Sequence, residues 1–422
     1  MIQARRRADA ARNDDLLLDA ALELLREKGP DRISALDLAR LANLTTGAVY
    51  ARYENNEEIL VGLWQHRISG PMRAFFDASL HAFQPGPDRH EAQTTIAKTI
   101  SNPNGPLRPG IALMIASSRI PELHEIIIPE VQSWLRDFEI ADDRTDVASL
   151  QKLGIISFVL GCLHYAAADM FDFSDWEAIK PLAHYGLAHP SVEGAPEVVE
   201  HTIGPILVET DNPVRDSLIN GAARVLARGG LERATTQRIA RAAALSPSVL
   251  FAEYRTRQAL FNDVAQQLLQ AIYREARATE TLDSVVVANS TVPTSFDDSH
   301  LVAFRHEYAC RAAAVNQGLV SPQGREQRRI RLEFHLAAIT DADIKSALHE
   351  ADLNSTTITT RQLSRSFGFS EHQTAPMARM AQVLSHGLIL VEEFSDFIHD
   401  RDLRCIYQPL AEAFSLHIVD NK

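Results

Sequence analysis

Apolar residues recur at helical spacing along nearly the whole chain. Leu17, Ala20, Ala21, Leu24 and Leu25 occupy the i, i+3, i+4, i+7 and i+8 positions of one amphipathic stripe. Alternation of the β type is almost missing. The best strand candidate, Val285 to Val287, is three residues long in a turn-rich stretch. The pattern predicts an all-α fold. Segments rich in proline, glycine, serine or asparagine interrupt it at Phe83–Asp88, Ser101–Gly110, Ser284–Ser299 and Gln317–Gly324, and read as loops between helices. A longer break, Ala188 to Pro213, holds Pro190, Gly194, Pro196, Gly204, Pro205 and Pro213 with little periodicity, and reads as a linker.

The two sides of that linker repeat one another. A shift of 201 positions sets Gly29 on Gly230, Arg32 on Arg233, Ala39-Arg40 on Ala240-Arg241, Ala42 on Ala243, Leu44 on Leu245, Ala51 on Ala252 and Tyr53 on Tyr254. Further along, Ile111–Ala116 resembles Leu332–Ala337, with Leu123 and Ile344 in the same register. Phe158–Leu163 resembles Leu384–Ile389, each with a glycine inside an apolar helical run. The halves read as duplicated whole domains.

At 422 residues the chain exceeds what one hydrophobic core sustains, which agrees with a duplication. Its 45% apolar and 23% charged residues exclude collagen-like, disordered and disulfide-scaffold classes. The net charge of −13 conceals a local asymmetry. Between Asn212 and Asn262, eight arginines face three acids, a local +5, whereas residues 1–60 carry nine basic and eleven acidic groups. The three cysteines are far apart, with no metal or disulfide spacing, which suits a reducing cytoplasm. The first residues, with Arg5, Arg6 and Arg7, lack the apolar stretch of a secretory signal. The most apolar run, Leu153 to Phe171, contains His164 and Asp169 and lacks basic flanks, so a buried helix is expected rather than a membrane span.

The repeated segment has the layout of a helix-turn-helix, about residues 34–53 and 235–254. A short helix, Ala35 to Ala42, is followed by Asn43, Leu44 and Thr45 and a second helix to about Arg52. Thr45 and, in the second copy, Ser246 are good N-caps, and Pro247 suits a first helical position. The small residues Thr46, Gly47 and Ala48 would let the second helix approach a major groove, with hydroxyls for phosphate or base edges. The second copy offers Ser246, Ser248, Arg255 and Arg257 around the same helix, and Arg5–Arg7 are candidates for a minor-groove arm.

Leu17–Leu60, through Ala20-Ala21, Gly29, Leu38-Ala39, Leu44 to Tyr50, Tyr53 and Glu57 to Leu60, resembles the N-terminal DNA-binding domain of the tetracycline-repressor (TetR) family. Leu218–Phe261 resembles it again. The resemblance implies heads at 1–64 and 212–265, helical ligand and dimerisation domains at 65–187 and 266–422, and a linker at 188–211. It also implies repression relieved by a small molecule. The DNA-binding candidates are Thr45, Thr46, Gly47, Tyr50 and Arg52 in the first copy, and Ser246, Ser248, Phe251, Arg255 and Arg257 in the second. The copies depart from the family in complementary ways. The phosphate-contacting lysine of the family is Asn56 in one copy and Arg257 in the other, and its tyrosine is Tyr50 in one and Phe251 in the other. Tyr53 and Tyr254 are expected to be packing residues.

Other candidates read as structural. His164, His335 and His386 lie on apolar helices without metal-ligand spacing. Phe75, Phe76, Trp134, Phe138, Phe158, Tyr165 and Phe171 fit ordinary core better than a ligand cavity. The charge run with Arg325, Arg328, Arg329 and Arg331 reads as a solvated helix start. No catalytic motif, metal set or cofactor loop is found. The expectation is therefore a cytoplasmic, non-enzymatic transcriptional regulator without cofactor or metal. Its two unequal heads bind double-stranded operator DNA, an imperfect inverted repeat, and its further partner is a small-molecule effector. The helices around Leu153–Phe171 and Met377–Phe397 are expected to join Asp175–Leu187 and Asp402–His417 in a four-helix interface, making an intramolecular pseudo-dimer; a higher oligomer stays open. The alternative is a ligand or protein adaptor that keeps the fold without touching DNA.

Overall fold

A computed structural model describes residues 2–140, 146–189, 203, 206–278 and 298–420. The described residues are overwhelmingly helical and contain no strand. The candidate strand Val285–Val287 and most of the 188–213 and 284–299 breaks lie outside them.

The first half comprises α1 (Ile2–Lys28), α2 (Ala35–Leu41), α3 (Thr46–Tyr50), α4 (Asn56–Leu63), α5 (Ser69–Ala82), α6 (Arg89–Ser101), α7 (Leu107–Ser117), α8 (Pro121–Asp137), α9 (Val147–Ala167) and α10 (Phe173–Gly186). The second comprises α11 (Pro213–Arg233), α12 (Thr236–Ala242), α13 (Pro247–Glu253), α14 (Arg257–Ala278), α15 (Asp298–Val320), α16 (Arg325–Ala338), α17 (Ala342–Phe367), α18 (Glu371–Ser395) and α19 (Arg404–Asp420). A π-helical turn, Trp64–Ile68, joins α4 to α5. Arg5–Arg7 belong to α1, which runs back to Ile2, so they form no extended arm. The break expected to reach Gly110 ends at Leu107, because Pro109 sits in the first turn of α7, where its missing N–H costs nothing.

The duplication extends to backbone angles. Gly29 and its counterpart Gly230 have φ 72° and 73°, both with ψ 174°. This positive φ with an extended ψ bends the chain out of the first helix of each head, a conformation open to glycine. Asn43 and its counterpart Ala244, in the turns between the paired short helices, have φ 54° and 57°.

Helix α9 packs on α18, and α10 on α19, with further contacts of α9 on α19 and α10 on α18. Two glycines set this seam. A Cβ at Gly161 would fall on the carbonyl oxygen of Val383, and one at Gly387 on that of Ser157. Val383 precedes Gly387 by four residues, as Ser157 precedes Gly161, so the contact is reciprocal, as across a two-fold axis. Gly186 similarly lies against the backbone of Leu410. Helix α9 is apolar on all sides because it is enclosed on all sides, which also accounts for its membrane-like composition. The fold continues across the seam through Arg401, which donates to the Ile140 carbonyl and, at 3.0 Å, to Ser149 Oγ, and through Gln132, whose Nε2 donates to the Phe394 carbonyl at 3.1 Å.

The charge run at the start of α16 is solvated only in part: Arg325 is exposed and Arg329 half-buried. Arg328 and Arg331 are buried, and Arg328 donates to the Leu319 and Ser321 carbonyls at 3.0 and 2.6 Å. These lie at the C-terminal end of α15, where orphan carbonyls attract a cation.

Candidate nucleic-acid interface

In the first copy, the Ser34 side chain caps α2 by accepting from Asp37 N at 3.1 Å, and Thr45 Oγ1 caps α3 by accepting from Ala48 N at 3.2 Å. Val49, fully buried, fastens α3 to α2, which leaves Thr45, Thr46, Gly47 and Tyr50 on the outer surface, with Tyr50 62% exposed. In the second copy, Thr235 caps α12 and Ser246 caps α13, accepting from Val249 N at 3.4 Å, with Pro247 at the first helical position. Leu250 is the buried anchor there, and Ser246, Ser248 and Phe251 are exposed. Ser246 Oγ and Ser248 Oγ lie 2.8 Å apart. Each short helix therefore presents hydroxyls and one aromatic ring outward.

The two faces differ in charge. Arg52 in the first copy is tied to Asp14 at 2.9 Å. In the second, seven of the eight arginines between 212 and 262 are exposed. Arg255 makes no hydrogen bond or ion pair among the described residues, and Arg257 lies 4.7 Å over the Phe261 ring with its head reaching the Leu231 carbonyl at 3.5 Å. The helix expected to run to Arg52 ends at Tyr50, whereas α13 continues to Glu253. Tyr254 is a packing residue as expected; its hydroxyl donates to Asp263, and burial pushes its pKa up. Tyr53 packs against Gly62.

Behind these faces lies a polar junction. Arg119, after α7, grips Asp31 bidentately at 2.7 and 2.6 Å and donates from Nε to Glu333 Oε1 at 2.7 Å. The other oxygen of Glu333 accepts from Leu231 N at 3.2 Å. Arg32 pairs with Glu232 directly between the copies. The turn after Gly29 and the segment after Gly230, where α11 kinks, are thus fixed to each other and to the core. Burial pushes the Glu333 carboxyl up and Arg119 pulls it partly back, while the carboxylates hold Arg119 firmly charged. The sequence carries a trace of this junction: the acid–arginine dipeptide Asp31-Arg32 recurs as Glu232-Arg233 at the same shift of 201. Its partner Glu333 lies 214 residues from Arg119, beyond the reach of any local pattern.

His164, His335 and His386 come together at the seam, with ring centroids 4.0 Å (164–335), 5.0 Å (335–386) and 5.6 Å (164–386) apart. His386 Nδ1 meets the Gln382 carbonyl at 2.9 Å and lies 3.0 Å from Tyr165 Oη, but neither ring nitrogen of His164 or His335 has a hydrogen-bond partner among the described residues. Burial lowers all three, His164 to about 3, so they are neutral. No group of three or more His, Cys, Asp or Glu among the described residues is placed to hold a metal ion.

The interiors of the halves differ. In the first, Trp64 stacks on Trp134 at 6.0 Å and Phe76 meets Trp134 edge-on at 6.2 Å, leaving a void of about 10 Å³. In the second, a cavity of about 120 Å³ opens between α14, α15, α16, α17 and α18.

Residues 17–63 and 218–264 each match the family described as bacterial regulatory proteins, tetR family. No curated protein matches the chain.

Proposed function

Because the chain belongs to the TetR family of DNA-binding transcriptional regulators and carries the family domain twice, we propose that it is a repressor acting as an intramolecular pseudo-dimer. Two unequal heads grip one operator, an imperfect inverted repeat, and a small-molecule effector releases it. In this reading residues 1–64 and 212–265 are the heads, 65–187 and 266–422 the helical domains, and 188–211 the linker. The protein works in the cytoplasm.

The observation that carries the reading is the reciprocal seam, in which Gly161 meets Val383 and Gly387 meets Ser157. Isologous contacts of this kind normally join two identical chains. Here one chain supplies both partners, and the covalent link replaces concentration as the source of association. Thr45, Thr46, Gly47 and Tyr50 read one half-site; Ser246, Ser248, Phe251, Arg255 and Arg257 read the other. Arg52, held by Asp14, contributes less than its counterparts in the second head. The arginine-rich second head supplies most of the sequence-independent phosphate affinity. Release follows from population shift: an effector that favours a different arrangement of α16 alters the Glu333–Arg119–Asp31 junction and with it the spacing of the heads.

Gel retardation on the promoter region upstream of its own gene, over a range of salt, tests the DNA reading. Affinity falls steeply with salt if the arginines meet phosphates, and a protein indifferent to DNA at low salt refutes the proposal. Light scattering tests the pseudo-dimer, which has the mass of one chain, 46.8 kDa.

A further inference from the structure

The cavity in the second half has an unusual charge. Its wall is mostly apolar, built from Val315, Leu319, Leu363, Phe367 and Ala378, yet two arginines and no acidic residue face it. Arg311, the first, is neutralised by Glu307 four residues earlier on α15. Arg331, the second, is 4% exposed and makes no ion pair among the described residues. Its guanidinium sits 4.7 Å over the Tyr273 ring with Nη2 3.3 Å from His386 Nδ1, the ring atom that meets the Gln382 carbonyl, and its Nε has no hydrogen-bond partner among the described residues. The buried carboxylate on the neighbouring helix, Asp352, is already engaged by Arg379 at 3.0 Å, Tyr165 Oη at 2.5 Å and Gln382 Nε2 at 2.7 Å. Asp352 is close enough to feel the Arg331 charge, but its oxygens are taken up by other partners, so this buried cation has no anion in direct contact among the described residues and favours one.

We infer that this cavity binds a small monocarboxylate with an apolar body, its carboxylate on the free edge of the Arg331 guanidinium and its body against Leu319, Leu363 and Phe367. The size agrees. About 120 Å³ is close to the roughly 150 Å³ cavity that admits one benzene ring, which points to an aryl or short-chain acyl carboxylate. Arginine matches a carboxylate with two parallel N–H donors, and the low dielectric strengthens both. The inference names the effector class of the regulator proposed above and rests on that reading only for its consequence at DNA; the binding itself does not depend on it.

The test is calorimetric titration of the intact chain with benzoate, with its neutral isostere benzamide in a parallel arm. Benzoate binds at one site per chain and benzamide binds roughly ten- to hundredfold more weakly, the discrimination expected of a charge-assisted bond. Arg331→Met removes the preference for benzoate. Ala381→Phe, which keeps the arginine and fills the cavity, abolishes benzoate binding while the circular dichroism spectrum stays that of the parent, so a fold lost in Arg331→Met leaves the inference testable. Equal affinity for the two compounds, benzoate binding that survives in both variants, or no saturable binding at about 10 mM benzoate overturns it. The titration is made without DNA, so failure of the regulator reading would show in gel retardation and leave the calorimetry unchanged.

Discussion

Replacing Arg119 by methionine tests the junction behind the heads. The substitution removes the bidentate contact with Asp31 and the 2.7 Å contact with Glu333. The Asp31 side chain is 19% exposed and recovers much of its solvation from water, whereas that of Glu333 is 6% exposed and cannot. Breaking a buried pair by deleting one member costs about 3–5 kcal/mol, nearly all of it here from the stranded Glu333 carboxylate. The carboxylate has an escape through protonation. Burial already raises its pKa, and loss of Arg119 raises it further. A carboxyl whose folded pKa lies above its unfolded value contributes stability at low pH that is lost as pH rises, so the deficit of Arg119→Met is largest near pH 8 and shrinks toward pH 5. Urea unfolding followed by circular dichroism at both pH values measures this. In the double variant Arg119→Met/Glu333→Gln, a neutral amide still accepts from Leu231 N, and stability returns by about 2–3 kcal/mol at pH 8. A deficit independent of pH and unrelieved by Glu333→Gln refutes the argument that an unpaired buried charge is the cause.

Gly161→Ala and Gly387→Ala each force a methyl group onto a facing carbonyl that belongs to backbone and cannot swing aside; each should cost about 3 kcal/mol in thermal or urea unfolding, the upper end for overpacking, and a neutral effect would contradict the seam. Ala244→Gly relieves an exposed alanine held at φ 57° and should stabilise by about 0.5–1 kcal/mol after the added chain entropy of glycine, whereas a loss of stability would show the turn to be unstrained. The three buried histidines take up protons in the unfolded state below its pKa of about 6.5 but not in the folded state until far lower, so they diminish stability as pH falls below that value; His335→Phe should remove about one proton, about 1.4 kcal/mol per pH unit, from the slope near pH 5, and an unchanged slope counts against their neutrality. Gly230→Ala places a Cβ 2.5 Å from both Arg119 Nε and Glu333 Oε2 at a positive φ, and should disturb the junction as strongly as Arg119→Met, with a smaller effect pointing to slack in those side chains.

The sequence was most legible where structure is local or repeated. Thr45, Ser246 and Pro247 occupy the helix starts that their chemistry favours, and the corresponding glycines of the two apolar helices each admit the backbone of the other helix at the seam. It was least legible where a polar group finds its partner at long range. Arg328 and Arg331 look solvated in a charge run because the α15 carbonyls and the Tyr273 ring that receive them are assigned only by the fold. The three histidines were visible one by one on apolar helices, but nothing along the chain shows that they share a cluster. Trp134 and Phe76 are core, as their helical spacing suggests, yet the open cavity in the second half is lined by side chains as large as Tyr273, Tyr308 and Phe367, so the space depends on how the helices sit and no single residue announces it.

That difference between the halves bears on dose. In a symmetric pair of chains every chamber comes twice, and two occupants can reinforce one another to sharpen the response. Here aromatic rings plug one chamber, so whatever enters the other finds no twin among the described residues to cooperate with. Occupancy then climbs as a simple hyperbola, needing roughly an eighty-fold rise in concentration to pass from one-tenth to nine-tenths full. Under the function proposed above, such a particle grades its output to the supply of its effector instead of snapping between two settings.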